Sequence, residues 1–358
     1  MRAVAVAMLA VLLLGTSAAP AAAPKPRRVN LSSMARDLVR TGAPGALLYV
    51  RTSSGTRVGT AGYADQSAHV SMRASDRYRI ASVTKAFVSV LILQLEAEGK
   101  LDIDDPVERY LPGVVPNGSA ITLRELMNHT SGLFNYTDDD AFVNDPFTSF
   151  SRAWTPAQLL AVAFAHPPTF APGTSWSYSN TNYIVLGLVV EAVTREPLGQ
   201  LLQERIFTPL NLTSTSFPST IELAPDLVHG YIKLSDTPII DITPGLNPTW
   251  GWAAGAIVST AKDVATFYRA LVTRKLLPAT QLKEMETPSP TARGYGLGLF
   301  NVLVACGRAF THEGDFLGWQ NIAYTTANGK RQAVVMVNVN YVNGDRLEEL
   351  AEKALCRG

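Results

Sequence analysis

The rhythm of apolar and polar positions changes along the chain, and each change predicts an element. LSSMARDLVR, from Leu31 to Arg40, reads as a helix with Ser32 or Ser33 as its cap, stopped by Gly42 and Pro44. GALLYVRTSSGTRVGTAGYAD then reads as two strands joined by a Ser53-Ser54-Gly55 turn. In RIASVTKAFVSVLIL the apolar positions from Ala86 to Leu95 fill more than one helical face, so the helix is buried, and Gly99 ends it.

The middle of the chain is helical and heavily punctuated. TLRELMNH opens with a capping box, Thr122 with Glu125. TPAQLLAVAF does the same with Thr155 and Gln158, and places Pro156 at the first helical position. TNYIVLGLVVEAVTR is another strongly apolar helix, and long Pro/Gly loops separate these segments. After about Trp250 the texture changes again. One helix, KDVATFYRALV, is followed by the strand-like segments YGLGLFNVLV, WQNIAYTT and QAVVMVNVNY, and DRLEELAEKAL closes the chain as an amphipathic helix. Strands at both ends with helices between predict an α/β (α+β) fold. Residues 24–88 and 250–358 form the sheet domain, and 89–249 a helical insertion.

Composition adds a compartment. Residues 1–23 combine Arg2, an apolar run from Ala3 to Leu14 and a small-residue exit, which describes a secretory signal peptide cleaved between Ala19 and Pro24. The expected location is therefore secreted, extracellular or in the cell-wall space. In an exported chain the cysteine pair Cys306 and Cys356 suggests a disulfide tying the closing helix to a late strand. No Cys or His set has zinc-ligand spacing, so no metal is expected. The 358 residues carry 31 basic and 30 acidic side chains, a balance that argues against nucleic acid and against a membrane surface once the signal is removed.

Ser82 and Lys85 lie three apart at the mouth of the buried helix. A lysine there loses hydration, which disfavours its charged form and lets it take the serine's proton. The same spacing recurs at Ser259 and Lys262. There Asp263 stands three after Thr260 at the start of an amphipathic helix, which reads as a cap. Tyr178 can relay protons and Asn180 can hold a substrate carbonyl. The second Tyr-x-Asn, Tyr341 to Asn343, runs into an Asn343-Gly344 turn. His312-Glu313-Gly314 falls between two strand-like segments, where Gly314 permits close approach of substrate to a sheet edge. His129 ends a helix and reads as structural.

The order Ser82-x-x-Lys85, Tyr178-x-Asn180, His312-x-Gly314 resembles the penicillin-recognising serine hydrolases, most closely secreted D-Ala-D-Ala carboxypeptidases of the class C β-lactamase type. The likeness extends through SVTKAFVSVLILQLEAEGKLDIDDPVERYLPG, LMNHTSGL, APGTSWSYSNTNYIVLGLVVEAVT and RIFTPLNLTST. It covers the chain from about Gly45 to Cys356, both cysteines included. The resemblance implies a β-lactamase/transpeptidase-like fold, with an antiparallel sheet flanked by the N- and C-terminal helices. It also implies an acyl-enzyme on Ser82 formed without a cofactor, and Lys85 and Tyr178 share the general-base role. The amides of Ser82 and Asp315 form the oxyanion hole, Asn180 holds the acyl-side amide, His312 supports Tyr178 and the leaving group, and Trp250 walls the cleft. The expected partner is a small peptide, amide or ester, with the cell wall as one source, and the enzyme is expected to act as a monomer.

Two positions depart from that pattern. Carboxypeptidase relatives usually place hydroxyl side chains where this chain has Glu313 and Asp315, and many carry an arginine where it has Phe300. Two anions at the site should repel a free substrate carboxylate, by about 1–4 kcal/mol at a few Å in partly wet surroundings. Asp138, Asp139 and Asp140 would add negative potential at the rim. An esterase, a D-amino-acid amidase or an aminopeptidase would suit such a site, and penicillin acylation should be slow or absent. A cell-wall binding module that kept only the fold is the alternative of another class.

Overall fold

The computed structural model describes residues 28–143, 150–221, 224, 226–233, 238–340 and 342–358. The expected signal segment and Tyr341 lie outside the described residues. The strands are β1 (Gly45–Thr52), β2 (Gly55–Asp65), β3 (Val70–Ser71), β4 (Tyr78–Arg79), β5 (Tyr231–Ile232), β6 (Ile240–Asp241), β7 (Val258–Ser259), β8 (Phe300–Val304), β9 (Gly307–Phe316), β10 (Trp319–Thr326) and β11 (Gln332–Val337). The helices are α1 (Leu31–Arg40), α2 (Thr84–Ala97), α3 (Leu123–Met127), α4 (Asp140–Val143), α5 (Pro156–Phe164), α6 (Asn180–Thr194), α7 (Leu198–Leu202), α8 (Trp252–Gly255), α9 (Ala261–Val272), α10 (Ala279–Glu286) and α11 (Gly344–Arg357).

Alternation along the strands builds two cores. Ala46, Leu48 and Val50 of β1 share one face with Val335 of β11 and Ile322 of β10, and α1 and α11 cover it through Leu31, Leu38, Leu347 and Leu350. Leu47 and Tyr49 point the other way, into the larger core with α2, α6 and α9. Seven strands pair antiparallel in the order β3-β2-β1-β11-β10-β9-β8, so the two ends of the chain meet at the centre, β1 against β11. Two short pairs stand apart, β4 with β7 and β5 with β6.

The apolar helices occupy the places their composition demands. Thr84 through Leu93 and Leu95 are all buried in α2, and Thr181 through Gly187 in α6. Each fully buried Val, Leu, Ile or Phe contributes about 1.5–3 kcal/mol, so these rods anchor the core. Both predicted capping boxes form, on Thr122 and on Thr155. Gly55 turns β1 into β2 with φ 122°, and Gly99 follows α2 with φ 67°. A disulfide joins Cys306, in the β8–β9 turn, to Cys356 on α11.

Several expectations need correction. The cap of α1 is Asn30, which is extended and accepts from Ser33 N at 3.0 Å, so neither Ser32 nor Ser33 caps it. Asn343 caps α11 by accepting from Asp345 N, so the Asn343-Gly344 pair starts a helix and makes no hairpin. His312-Glu313-Gly314 lies within a strand, not between strands. Its burial alternates, with His312, Gly314 and Phe316 inside and Glu313 and Asp315 outside, and polar residues at both parities had hidden the period. Ser82 stands at the mouth of the buried helix, as expected. It sits in the 3₁₀ turn Ala81–Val83, and α2 begins at Thr84.

Candidate active site

The nucleophile turn is clamped from two sides. β4 pairs with β7 just before it, and Ile80 N donates to Ile257 O at 3.0 Å. On the other side β9 crosses against it. A Cβ at Gly314 would lie 2.2 Å from the Ile80 carbonyl oxygen, so only glycine admits this approach. The expected role of Gly314, room for substrate, is corrected: the close neighbour is the backbone that carries Ser82. Ala81 adopts φ 50° while fully buried, a left-handed conformation that costs a non-glycine residue about 1–3 kcal/mol.

Lys85 is fully buried, and its Nζ has three oxygen neighbours: Ser82 Oγ at 2.9 Å, Asn180 Oδ1 at 2.8 Å and Ala254 O at 2.8 Å. Burial pushes its pKa well below the usual lysine value, favouring the free amine. The oxygens decide what that amine does. Asn180 Oδ1 and Ala254 O can only accept, so they take the two N–H groups of a neutral amine. Its lone pair is then left facing the Ser82 hydroxyl. The charge neighbours fit this state, since no carboxylate contacts Lys85 among the described residues, and the Tyr178 and Tyr183 ring centroids lie 4.9 and 5.5 Å from Nζ.

Tyr178 enters from the loop before α6, and its hydroxyl is hydrogen-bonded to the Ser82 side chain. Burial holds this phenol protonated, with smaller contributions from Tyr183, Tyr136 and Glu313. His129, read from the sequence as structural, proves to be its seat. The His129 ring lies 4.3 Å from that of Tyr178, centroid to centroid. Its backbone oxygen accepts from Ser177 N at 3.1 Å and its Nδ1 from Ser179 N at 3.2 Å, so it holds the residues on either side of Tyr178. Asn182, fixed by Ser131 Oγ at 2.6 Å, stands 3.2 Å from the same Nδ1. The one signal in the sequence was a histidine in MNHTSGL after a short helix, which does not announce a partner 50 residues away.

His312 departs from its expected part. It is buried, and both ring nitrogens are engaged, Nδ1 with the Glu313 carbonyl at 2.6 Å and Nε2 with Tyr295 Oη at 2.9 Å. Its ring stands 6.4 Å from that of Tyr178. Burial first, and then the nearby Lys85, push its pKa down to about 3. His312 is thus a neutral strut beneath the site, and its contact with Tyr178 is one of rings.

A cleft of about 220 Å³ opens over Ser82. Trp250, Phe316, Phe150 and Tyr136 form its aromatic walls, Trp250 stacked on Phe316 at 4.2 Å, as expected of Trp250. Asn180 and Thr137 line it together, Asn180 Nδ2 donating to Thr137 Oγ1 at 3.0 Å with one N–H left for a ligand. Asp315 lines the cleft with Ser82, and its carboxylate accepts from Gln320 at 3.2 Å. Glu313 does not line it. Alternation sends its side chain away from His312, and desolvation with Glu348, Asp315 and Asp345 nearby raises its pKa. Asp138 and Asp139 are tied to Asn135 and His166. β8 pairs with β9 only as far as Thr311, so residues 312–316 present a free edge toward the turn. Among the described residues there is no group of acids, histidines or cysteines that could hold a metal ion, and no helix is long and apolar enough to cross a membrane.

Comparison with known proteins bears on this geometry. The family model described as Beta-lactamase matches residues 31–355. The chain is 30% identical over 292 residues to "Putative penicillin-binding protein PbpX" of Bacillus subtilis (strain 168), covering 82% of this chain and 69% of that protein. It is 28% identical over 256 residues to Protein flp of Staphylococcus aureus (strain N315), covering 67% of this chain and 48% of the relative, about half its length. Among solved structures, D-stereospecific amidohydrolase from Streptomyces sp. is similar with a TM-score of 0.83 at 39% identity, over 90% of this chain and 97% of that one. D-amino acid amidase from Ochrobactrum anthropi SV3, complexed with L-phenylalanine amide, is similar with a TM-score of 0.80 at 26% identity, over 91% and 96% of the two chains.

Proposed function

Because this chain belongs to the Beta-lactamase family and is a serine hydrolase of the β-lactamase fold, we propose that it hydrolyses amides of D-amino acids with apolar side chains, through an acyl-enzyme on Ser82. Ser82 Oγ attacks the carbonyl carbon as its proton passes to the Lys85 amine. The Ser82 and Asp315 amides hold the oxyanion, and Asn180 Nδ2 holds the acyl side. Tyr178 hands a proton to the departing amine and regains one from the Lys85 ammonium, so the amine is free and the phenol protonated again. Water then attacks the acyl-enzyme, giving its proton to Lys85, and that proton returns to Ser82 as the acid leaves. Export, through cleavage of the N-terminal segment, is part of the same proposal.

The observation that carries this reading is the lining of the cleft. Among its described residues four are aromatic and none carries a cationic side chain. A substrate ending in a free carboxylate finds no counter-ion there, whereas a neutral amide beside an apolar side chain finds a complementary wall. The names of the two amidase neighbours support the same class. Glu313 and Asp315 share the strand face turned away from His312, where Asp315 is held by Gln320, so the reading rests on the missing counter-ion and not on the repulsion expected of these two carboxylates.

A turnover panel tests the proposal: D- and L-phenylalanine amide, a D-Ala-D-Ala peptide with a free C-terminus, a short-chain ester and a chromogenic cephalosporin, each against Ser82→Ala as blank. D-phenylalanine amide should be turned over well above its L-isomer and above the free-acid peptide, with little cephalosporin turnover. Fast release of terminal D-Ala from the free-acid peptide would favour the carboxypeptidase reading instead.

A further inference from the structure

A second cavity adjoins the catalytic cleft, and Phe150 and Leu317 line both. Its other walls are mainly apolar, formed by Ile232, Ile242, Pro244 and Leu246. The acidic side chain among its described residues, Asp241, is already engaged: Oδ2 meets His229 Nδ1 at 2.7 Å and Oδ1 accepts from Thr243 N at 2.9 Å. The space measures about 160 Å³. An apolar cavity of about 150 Å³ stays dry and takes a benzene ring, so this one suits a single aromatic or branched aliphatic side chain.

Its place along the reaction axis follows from β9. That strand runs from His312, beside Tyr178, to Phe316, beside Leu317. Tyr178 is the proton donor to the leaving group in the proposed mechanism, so the leaving group lies at the His312 end. The acyl portion then extends toward Phe316 and Leu317, and the second cavity lies beyond it. We propose that this cavity is a second acyl-side subsite, and that the preferred substrate is a peptide amide in which an apolar residue precedes the D-residue at the scissile carbonyl. The proposal rests on the amidase reading and narrows its substrate class from amino-acid amides to short peptides.

The chain itself offers a way to fill the cavity. Gly245 lines it, a Cβ added there meets nothing within 4 Å, and its φ lies outside the left-handed region. Gly245→Phe therefore adds bulk without backbone strain, and Ile242→Phe adds it from a neighbouring wall. The experiment compares kcat/KM for D-phenylalanine amide, glycyl-D-phenylalanine amide and leucyl-D-phenylalanine amide in the wild type and both variants. The leucyl compound should exceed the glycyl one by about 10-fold or more in the wild type, the span that a filled apolar pocket commands, and that ratio should collapse in the variants. D-phenylalanine amide does not reach the second cavity and reports on the catalytic centre in each variant. Equal rates for the leucyl and glycyl compounds in the wild type overturn the subsite alone, as does a preference that survives both substitutions. Hydrolysis of none of the three amides by the wild type overturns the amidase reading and the subsite with it.

Discussion

At the scale of single residues the site turns on the protonation state of Lys85. In the fold its pKa is depressed by burial, whereas in the unfolded chain it returns to the ordinary value near 10.5. Between those two values unfolding takes up a proton, so stability rises with pH there, by about 1.4 kcal/mol per unit at most, and is flat below the folded value. Lys85→Met should erase this gain: thermal denaturation across alkaline pH should show the wild type gaining on the variant as pH rises. The same substitution should slow acylation by about 10³-fold, since the base is gone. In the wild type the acylation rate should climb with pH through the depressed lysine value and then level off. The pairing of Ser82 with Lys85 was legible beforehand because an ammonium has no wet face on an all-apolar helix. The seat under Tyr178 was not legible. His129 acts there by accepting from the Ser177 and Ser179 amides, through its carbonyl and its Nδ1, and through ring contact, none of which leaves a spacing in the sequence.

Among the elements, β9 and the nucleophile turn form one unit. Gly314 sets their separation, and any side chain there meets the Ile80 carbonyl. Gly314→Ala should push the turn away, lower stability by about 1–3 kcal/mol through overpacking and reduce kcat/KM by about 10²-fold through misplacement of Ser82. Thermal melts and steady-state kinetics on one preparation check both. The long helices α2 and α6 were readable because their apolar residues run all round, and the capping boxes marked α3 and α5 to the residue. β9 was misread for a physical reason. A strand with one free edge over a cleft carries polar residues on both faces, which blurs the period of two that marks an ordinary half-buried strand.

For the molecule as a whole, the sheet joins chain ends more than 250 residues apart, β1 pairing with β11 in the register Ala46 to Val337. Late pairing of this kind leaves the closing helix dependent on local ties, and the Cys306–Cys356 disulfide is one, across 50 residues. Cys356→Ser should lower global stability by about 2–4 kcal/mol, read from denaturant melts. The rate of Ser82 acylation should change little, because the bridge lies on the α11 side of the sheet and the cleft on the other. The overall architecture could be read from strands at both ends of the chain and three motifs in order. The second cavity could not, because its walls come from four separated stretches whose apolar residues look like ordinary core.

The most direct measurement is the intact mass of the protein after treatment with an active-ester or fluorophosphonate probe, with the modified peptide sequenced. One adduct should form, on Ser82, lost in Ser82→Ala and kept in Ser259→Ala, whose serine is buried against Thr215. An unmodified wild-type protein, or an adduct that persists in Ser82→Ala, would contradict the account.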